Sequence, residues 1–170
     1  VLDVYRNDAE GLRIEPVPVD LRSLIADTIT ALTALAQARQ IYLKLSSQGQ
    51  NFCVKGDAPQ LRRVFENLLI NAINHAPRGT PVEVILETVG HEQQVQVRDC
   101  GPGIAVHELP NLFERFYQGY SNRQAKGSGL GLYLSRQIVE AHSGKIWAES
   151  RHSQGQIAGA TFCCRLPACS

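Results

Sequence analysis

Between Asp57 and Ile73 the apolar residues Leu61, Val64, Phe65, Leu68, Leu69, Ala72 and Ile73 recur every three or four positions, a period that an α-helix lays down as one stripe. Such a stripe has to be buried against a partner layer. Asp57 is placed to cap this helix, with Gln60 three residues on and Pro59 tolerated in the first turn, and Pro77 and Gly79 end it. At the edge of the stripe stand Asn67 and Asn71, four apart and therefore one above the other, with Asn74 and His75 a turn further on.

The remaining elements supply that partner. A short extended piece around Arg13 to Val19 leads to Asp20, the cap of a helix predicted over residues 21–39, with Leu21, Leu24, Ile25, Ile29, Leu32 and Leu35 at helical spacing. Ile41 to Ser46 and Phe52 to Lys55 alternate like strands, and the polar Ser-Gln-Gly turn between them predicts a hairpin. Val82 to Val89 and Gln94 to Asp99 predict a second antiparallel pair across Gly90-His91-Glu92. A long irregular stretch, Pro102 to Lys126, precedes a third helix beginning near Tyr133 and two final strands near Lys145 to Ser150 and Ala160 to Leu166. Three helices interleaved with strand pairs predict an α+β fold, a two-layer α/β sandwich whose mixed, mostly antiparallel sheet carries the helices on one face.

At 170 residues and 44% hydrophobic, the chain suits one domain able to bury a core without metal. A formal charge of +1 provides no global field to recruit nucleic acid or an acidic membrane, so neither is an expected partner. Cys53, Cys100, Cys163, Cys164 and Cys169 form no Cys-x-x-Cys pair and no zinc pattern, and a reduced, cytoplasmic protein is expected. No apolar run approaches the roughly 20 residues that span a bilayer. The chain has no methionine and opens on Val1 to Asp8, which reads like the last turns of a helix. It is therefore expected to be a fragment, and its parent has room for a membrane anchor elsewhere.

Four segments carry chemistry. The amide oxygens of Asn67 and Asn71 are neutral, hard donors suited to magnesium, which keeps several waters and shares its other positions with phosphates; the alternative is a solvated polar helix face. Asp99-Cys100-Gly101-Pro102-Gly103 puts a carboxylate at a strand end before a flexible turn, either an ordinary turn or a site where a buried carboxylate accepts adenine's exocyclic amine and rejects guanine's carbonyl. Leu112 to Gly119 sets aromatics in a loop-rich segment, either a lid over a ligand or a short docked helix covering the core. Gly127-Ser128-Gly129-Leu130-Gly131-Leu132 brings glycines to every second position before a helix start, which is a phosphate cradle or a plain loop-to-helix turn.

In this order, Asn67-Leu68-Leu69-Ile70-Asn71-Ala72, Asp99-x-Gly-x-Gly, Phe113-Glu114-Arg115-Phe116-Tyr117, Gly127-x-Gly-x-Gly-Leu and Gly159-Ala160-Thr161-Phe162, the chain resembles the catalytic ATP-binding domain of bacterial sensor histidine kinases. The match runs from about Pro18 to Pro167. It implies that residues 13–170 form the kinase domain, and that 1–12 are the end of the dimerisation and phosphoacceptor helix with its linker. ATP and magnesium follow as cofactors. The resemblance assigns Asn71 and Asn67 to magnesium and phosphates, Asp99 to the adenine amine, Gly101 and Gly103 to the base pocket, and Thr161 to its adenine end. Gly127, Gly129, Leu130 and Gly131 carry the hinge of an ATP lid and the phosphate-binding backbone, and Asn74 and His75 lie beside the nucleotide. The family commonly has lysine where Asn74 stands and a basic residue where Gln118 stands; Arg115, Arg123 and Lys126 are the residues expected to supply that charge.

Phosphoryl transfer depends on positioning and charge neutralisation, which these parts provide. They provide no acceptor, because none of His75, His91, His107, His142 and His152 sits in the His-Glu/Asp-x-Arg/Lys-x-Pro context of the family's phosphorylated histidine. The implied partners are the chain's own dimerisation and phosphoacceptor domain and a response regulator. Two other functions share the fold. An ATPase of the gyrase or chaperone type would place a glutamate where Asn67 stands, and an amide cannot deprotonate water. A degenerate nucleotide-binding module is the reading that Asn74 and Gln118 motivate.

Overall fold

The computed structural model describes residues 12–115, 117 and 131–170. The two aspartates cap as expected. Asp20 holds extended backbone and its carboxylate accepts from the N–H of Arg22 at 3.0 Å, opening α1 (Leu21–Ala38). Asp57 accepts from the N–H of Gln60 at 3.3 Å and opens α2 (Ala58–His75). α2 stops there because Ala76, the residue before Pro77, is held extended at φ −74° and ψ 138°. The third helix is α3 (Gly131–Ala141).

The strands are β1 (Val17–Asp20), β2 (Tyr42–Gln48), β3 (Cys53–Gly56), β4 (Pro81–Val89), β5 (Glu92–Arg98), β6 (Lys145–Ser153) and β7 (Gln156–Pro167). Five make one sheet in the order β2-β4-β5-β7-β6, parallel at β2–β4 and antiparallel at the other three junctions. Val82, Val84, Leu86, Val95, Val97, Phe162, Cys164 and Leu166 alternate onto its inner face. There they share one buried core with Leu61, Phe65, Leu68 and Leu69 of α2 and Ile138 and Val139 of α3. The mixed, mostly antiparallel sheet with its helical layer is the expected sandwich.

The hairpin expected between Ile41–Ser46 and Phe52–Lys55 does not form. β2 leaves its sequence neighbour and pairs in parallel with β4, Leu43 beside Val82 and Leu45 beside Val84, so that both leucines reach the main core. Parallel neighbours need a long crossover, which α2 supplies. β3 pairs antiparallel with β1 in a separate two-stranded sheet, setting buried Val54 opposite Val19.

The expectation of fully reduced cysteines is also corrected. Cys53 of β3 and Cys169 of the C-terminal tail are bonded across 116 residues of sequence. Ala168 pairs with Val54, and the N–H of Cys169 donates to the carbonyl of Cys53 at 2.9 Å, so the tail lies beside β3 as a further extended segment. Spacing along the chain carries no trace of this contact. No helix among the described residues is long and apolar enough to cross a membrane.

Candidate functional site

α2 delivers the asparagines. Its apolar stripe is buried in the core, and at the edge of that stripe Asn67 and Asn71 remain partly accessible. Nδ2 of Asn67 donates to the carbonyl of Gly131 at 3.2 Å and to Oγ of Ser135 at 3.4 Å, joining α2 to the first turn of α3. The Asn71 carbonyl accepts from Nδ1 of His75 at 2.7 Å. His75 is thereby fixed, 2% exposed, beneath the loop that follows β5.

That loop starts with Asp99, whose carboxylate is 1% exposed. Oδ1 accepts from the N–H of Gly101 at 2.8 Å and from that of Ala160 at 3.2 Å. Oδ2 is buried without a hydrogen-bond partner among the described residues. A buried acceptor in that condition is costly unless a ligand supplies the donor. Burial raises the Asp99 carboxyl above its ordinary value of 3.8, against the opposing pull of the two N–H groups and of the His75 and Arg151 charges.

The neighbouring glycines are needed for space. A Cβ on Gly101 would stand 2.6 Å from the carbonyl oxygen of His75, and one on Gly103, at φ +76°, would collide with Cγ2 of Ile157. Gly159, at φ +146°, lies with its Cα so close to the carbonyl of Asp99 that no Cβ fits between them. The segment Gly159 to Phe162 thus acts on Asp99 through its backbone.

Thr161, expected at the adenine end, is on the other face of the sheet. Its Cα partners are Arg98 on β5 and Glu149 on β6, and alternation puts all three opposite to the core-facing set Val97, Phe162 and Ala148. Asn74 lies at the far end of α2, where it lines a groove with Leu35, Ala38, Arg39, Pro77 and Arg78. Arg115 is half-buried with its guanidinium 6.0 Å from the ring centroid of Tyr133 on α3. Leu112 and Phe113 cover the core, both buried and the Phe113 ring meeting Phe162 edge-on at 6.3 Å, but in a turn after a short 3-10 helix (Leu109–Asn111) and not in a docked helix of their own. Val1 to Asp8, Phe116, Gln118, Arg123, Lys126, Gly127, Gly129 and Leu130 lie outside the described residues.

Sequence reading missed Ser135 and the role of Gly159. Ser135 is fully buried on a helix face otherwise occupied by Leu132, Ile138 and Val139, and a lone serine in such a stripe was the available signal. For Gly159 it was a glycine inside a strand.

The arrangement offers a buried carboxylate acceptor and two adjacent amide groups beside the Gly131 end of α3. Among the described residues no group of three His, Cys, Asp or Glu side chains is placed to cage a metal. A metal here would take most of its oxygens from water and phosphate, which is how magnesium is commonly held.

The family described as histidine kinase-, DNA gyrase B-, and HSP90-like ATPase matches residues 56–169. The chain is 36% identical over 156 residues to the adaptive-response sensory kinase SasA of Synechococcus sp. (strain JA-3-3Ab), covering 91% of this chain and 41% of that protein. It is 40% identical over 170 residues to the sensor histidine kinase CusS of Escherichia coli (strain K12), covering 99% of this chain and 34% of CusS. The chain therefore spans well under half the length of these relatives. The solved structure of the mycobacterial sensor histidine kinase MprB superposes with a TM-score of 0.78 at 29% identity, covering 90% of this chain and 97% of that one.

Proposed function

The chain belongs to the histidine kinase-, DNA gyrase B- and HSP90-like ATPase family, among its sensor histidine kinase catalytic domains, and from that premise we propose that it binds magnesium-ATP and passes the γ-phosphoryl group to a histidine on a separate dimerisation and phosphoacceptor domain. A response regulator is the proposed next acceptor. The observation that carries the ATP site is Asp99 Oδ2, a buried oxygen that needs a donor.

In this reading the adenine amine donates to Asp99, while the carbonyl of guanine would face a carboxylate and be rejected. Gly101 and Gly103 let the turn that shapes the base pocket pack against the His75 carbonyl and Ile157, and Gly159 lets the backbone close behind Asp99. Asn67 and Asn71 would hold magnesium, and both residues suit it as neutral oxygen donors. When bound, the metal neutralises charge on the phosphate oxygens as the γ-phosphoryl group leaves. Gly131, the first described residue of α3, lies beside Asn67, and the phosphates are assigned to that end of the helix. Arg115, whose guanidinium stands 6.0 Å from the ring centroid of Tyr133 on that helix, and Lys126, Gly127, Gly129 and Leu130 are assigned to the phosphates by motif. Nothing in this set activates a histidine within the chain, which supports an acceptor on another domain.

Water is a poor acceptor at this site. Asn67 has no basic atom, and Glu66 is paired with Arg62 at 2.9 Å on the same helix, which argues against an ATPase of the gyrase type. The test is equilibrium binding of ATP and GTP by calorimetry. ATP should bind and GTP should be at least tenfold weaker, with that preference lost in Asp99→Ala. Equal binding of the two nucleotides would refute the assignment of Asp99.

A further inference from the structure

The contact between α2 and α3 has a defined polarity. Asn67 Nδ2 donates to the Gly131 carbonyl at 3.2 Å and to Ser135 Oγ at 3.4 Å, while Ser135 Oγ donates to the same carbonyl at 2.9 Å. A carbonyl only accepts, so the amide nitrogen, not the oxygen, must face α3. Ser135 has no exposed surface and interrupts the apolar stripe of Leu132, Ile138 and Val139, where a hydroxyl is a cost unless it is bonded. Gly131 adds no bulk there, and the Asn67 amide carbon lies 3.7 Å from where a Gly131 Cβ would be.

We propose that Ser135 is a positioning residue for nucleotide binding: together with the Gly131 carbonyl it fixes the Asn67 amide with its nitrogen toward α3, reserving Oδ1 for a magnesium-nucleotide complex. This rests on the reading of Asn67 and Asn71 as metal-facing groups. It has a counterintuitive corollary. Aspartate is a stronger magnesium ligand than asparagine, yet Asn67→Asp would set a carboxylate oxygen against the Gly131 carbonyl, and Ser135 could bond that oxygen only by turning its hydroxyl away from the carbonyl, so the orienting pair of contacts is lost.

The experiment measures ATP binding by calorimetry in magnesium and in EDTA, with thermal unfolding alongside, for Ser135→Ala, Asn67→Asp and Asn71→Ala. Ser135→Ala should keep the metal-free affinity and lose roughly 3–10-fold of the gain that magnesium confers, the size of one hydrogen bond. Asn67→Asp should lose more of that gain. A full magnesium-dependent gain in Ser135→Ala, or tighter magnesium-ATP binding by Asn67→Asp than by the native chain, overturns the proposal. Should Ser135→Ala unfold, Asn67→Asp decides alone, its residue being partly accessible. If Asn71→Ala loses the gain while Ser135→Ala keeps it, the positioning role alone is overturned. If all three variants keep it, the metal-facing reading falls too.

Discussion

The backbone N–H of Asp57, the cap of α2, donates to Nε2 of His142 just beyond the end of α3 at 3.0 Å, while Nδ1 of the same ring bonds the carbonyl of Ile138 at 2.7 Å. A carbonyl only accepts, so Nδ1 carries the hydrogen and donates, and Nε2 is the acceptor. One buried imidazole thus fastens the start of the helix carrying Asn67 and Asn71 to the end of the helix that Gly131 begins. His142→Ala leaves the Asp57 N–H unpartnered and should cost about 1–3 kcal/mol of stability, read from urea unfolding. An unchanged midpoint would show that the ring is only filler.

Asp99 couples stability to pH with a definite sign. Because its folded-state carboxyl is raised by burial, its favourable contribution is full below the ordinary value of 3.8 and is lost as pH rises through the raised folded value. At neutral pH, without nucleotide, the buried carboxylate therefore carries a penalty. Asp99→Asn should match or exceed the native chain in thermal stability at pH 7, with the difference vanishing toward pH 3. The same variant turns an amide N–H toward the adenine amine and should weaken ATP binding by about 5–150-fold, equivalent to 1–3 kcal/mol. Lower stability of the variant at pH 7 would contradict the sign.

Glycines 159 and 131 should respond oppositely to the same methyl. At Gly159 a Cβ has no room beside the Asp99 carbonyl and φ is +146°, so Gly159→Ala should yield little folded protein. At Gly131 the nearest atom among the described residues would be 3.7 Å away, an ordinary contact, and Gly131→Ala should keep the far-ultraviolet circular dichroism of the native chain. Equal loss of fold in both would contradict the local geometry.

The helical stripes, both aspartate caps and the β4–β5 pair could be read directly from the sequence, because each rests on residues within a few positions of one another. Two of the failures share one cause. Whether β2 turns back on β3 or crosses to β4, and whether Cys53 meets Cys169, are decided by contacts between distant segments that local patterning does not encode. Thr161 failed differently. Its motif located it along the chain, but a strand alternates faces at every residue, and the backbone of Ala160, one position earlier, is what meets Asp99.

The Cys53–Cys169 bond closes a long loop and holds the tail on β3. Cys169→Ser, or a strong reductant on the native chain, should lower stability by about 2–5 kcal/mol. Alkylation under native, non-reducing conditions should label Cys100, which is partly exposed, and spare Cys163 and Cys164, which are buried. No thermal shift on reduction would show that the bond contributes nothing to holding the tail.

The central claim is that this chain supplies the ATP half of a kinase reaction and none of the acceptor half. It is tested by incubating the chain with γ-labelled ATP and magnesium, with and without a separately supplied dimerisation and phosphoacceptor domain of a sensor histidine kinase. The expected result is acid-labile label on the acceptor domain's histidine and none on this chain in either mixture. Acid-labile phosphohistidine on this chain, or no transfer from a chain that demonstrably binds ATP to an acceptor domain it also binds, would contradict it.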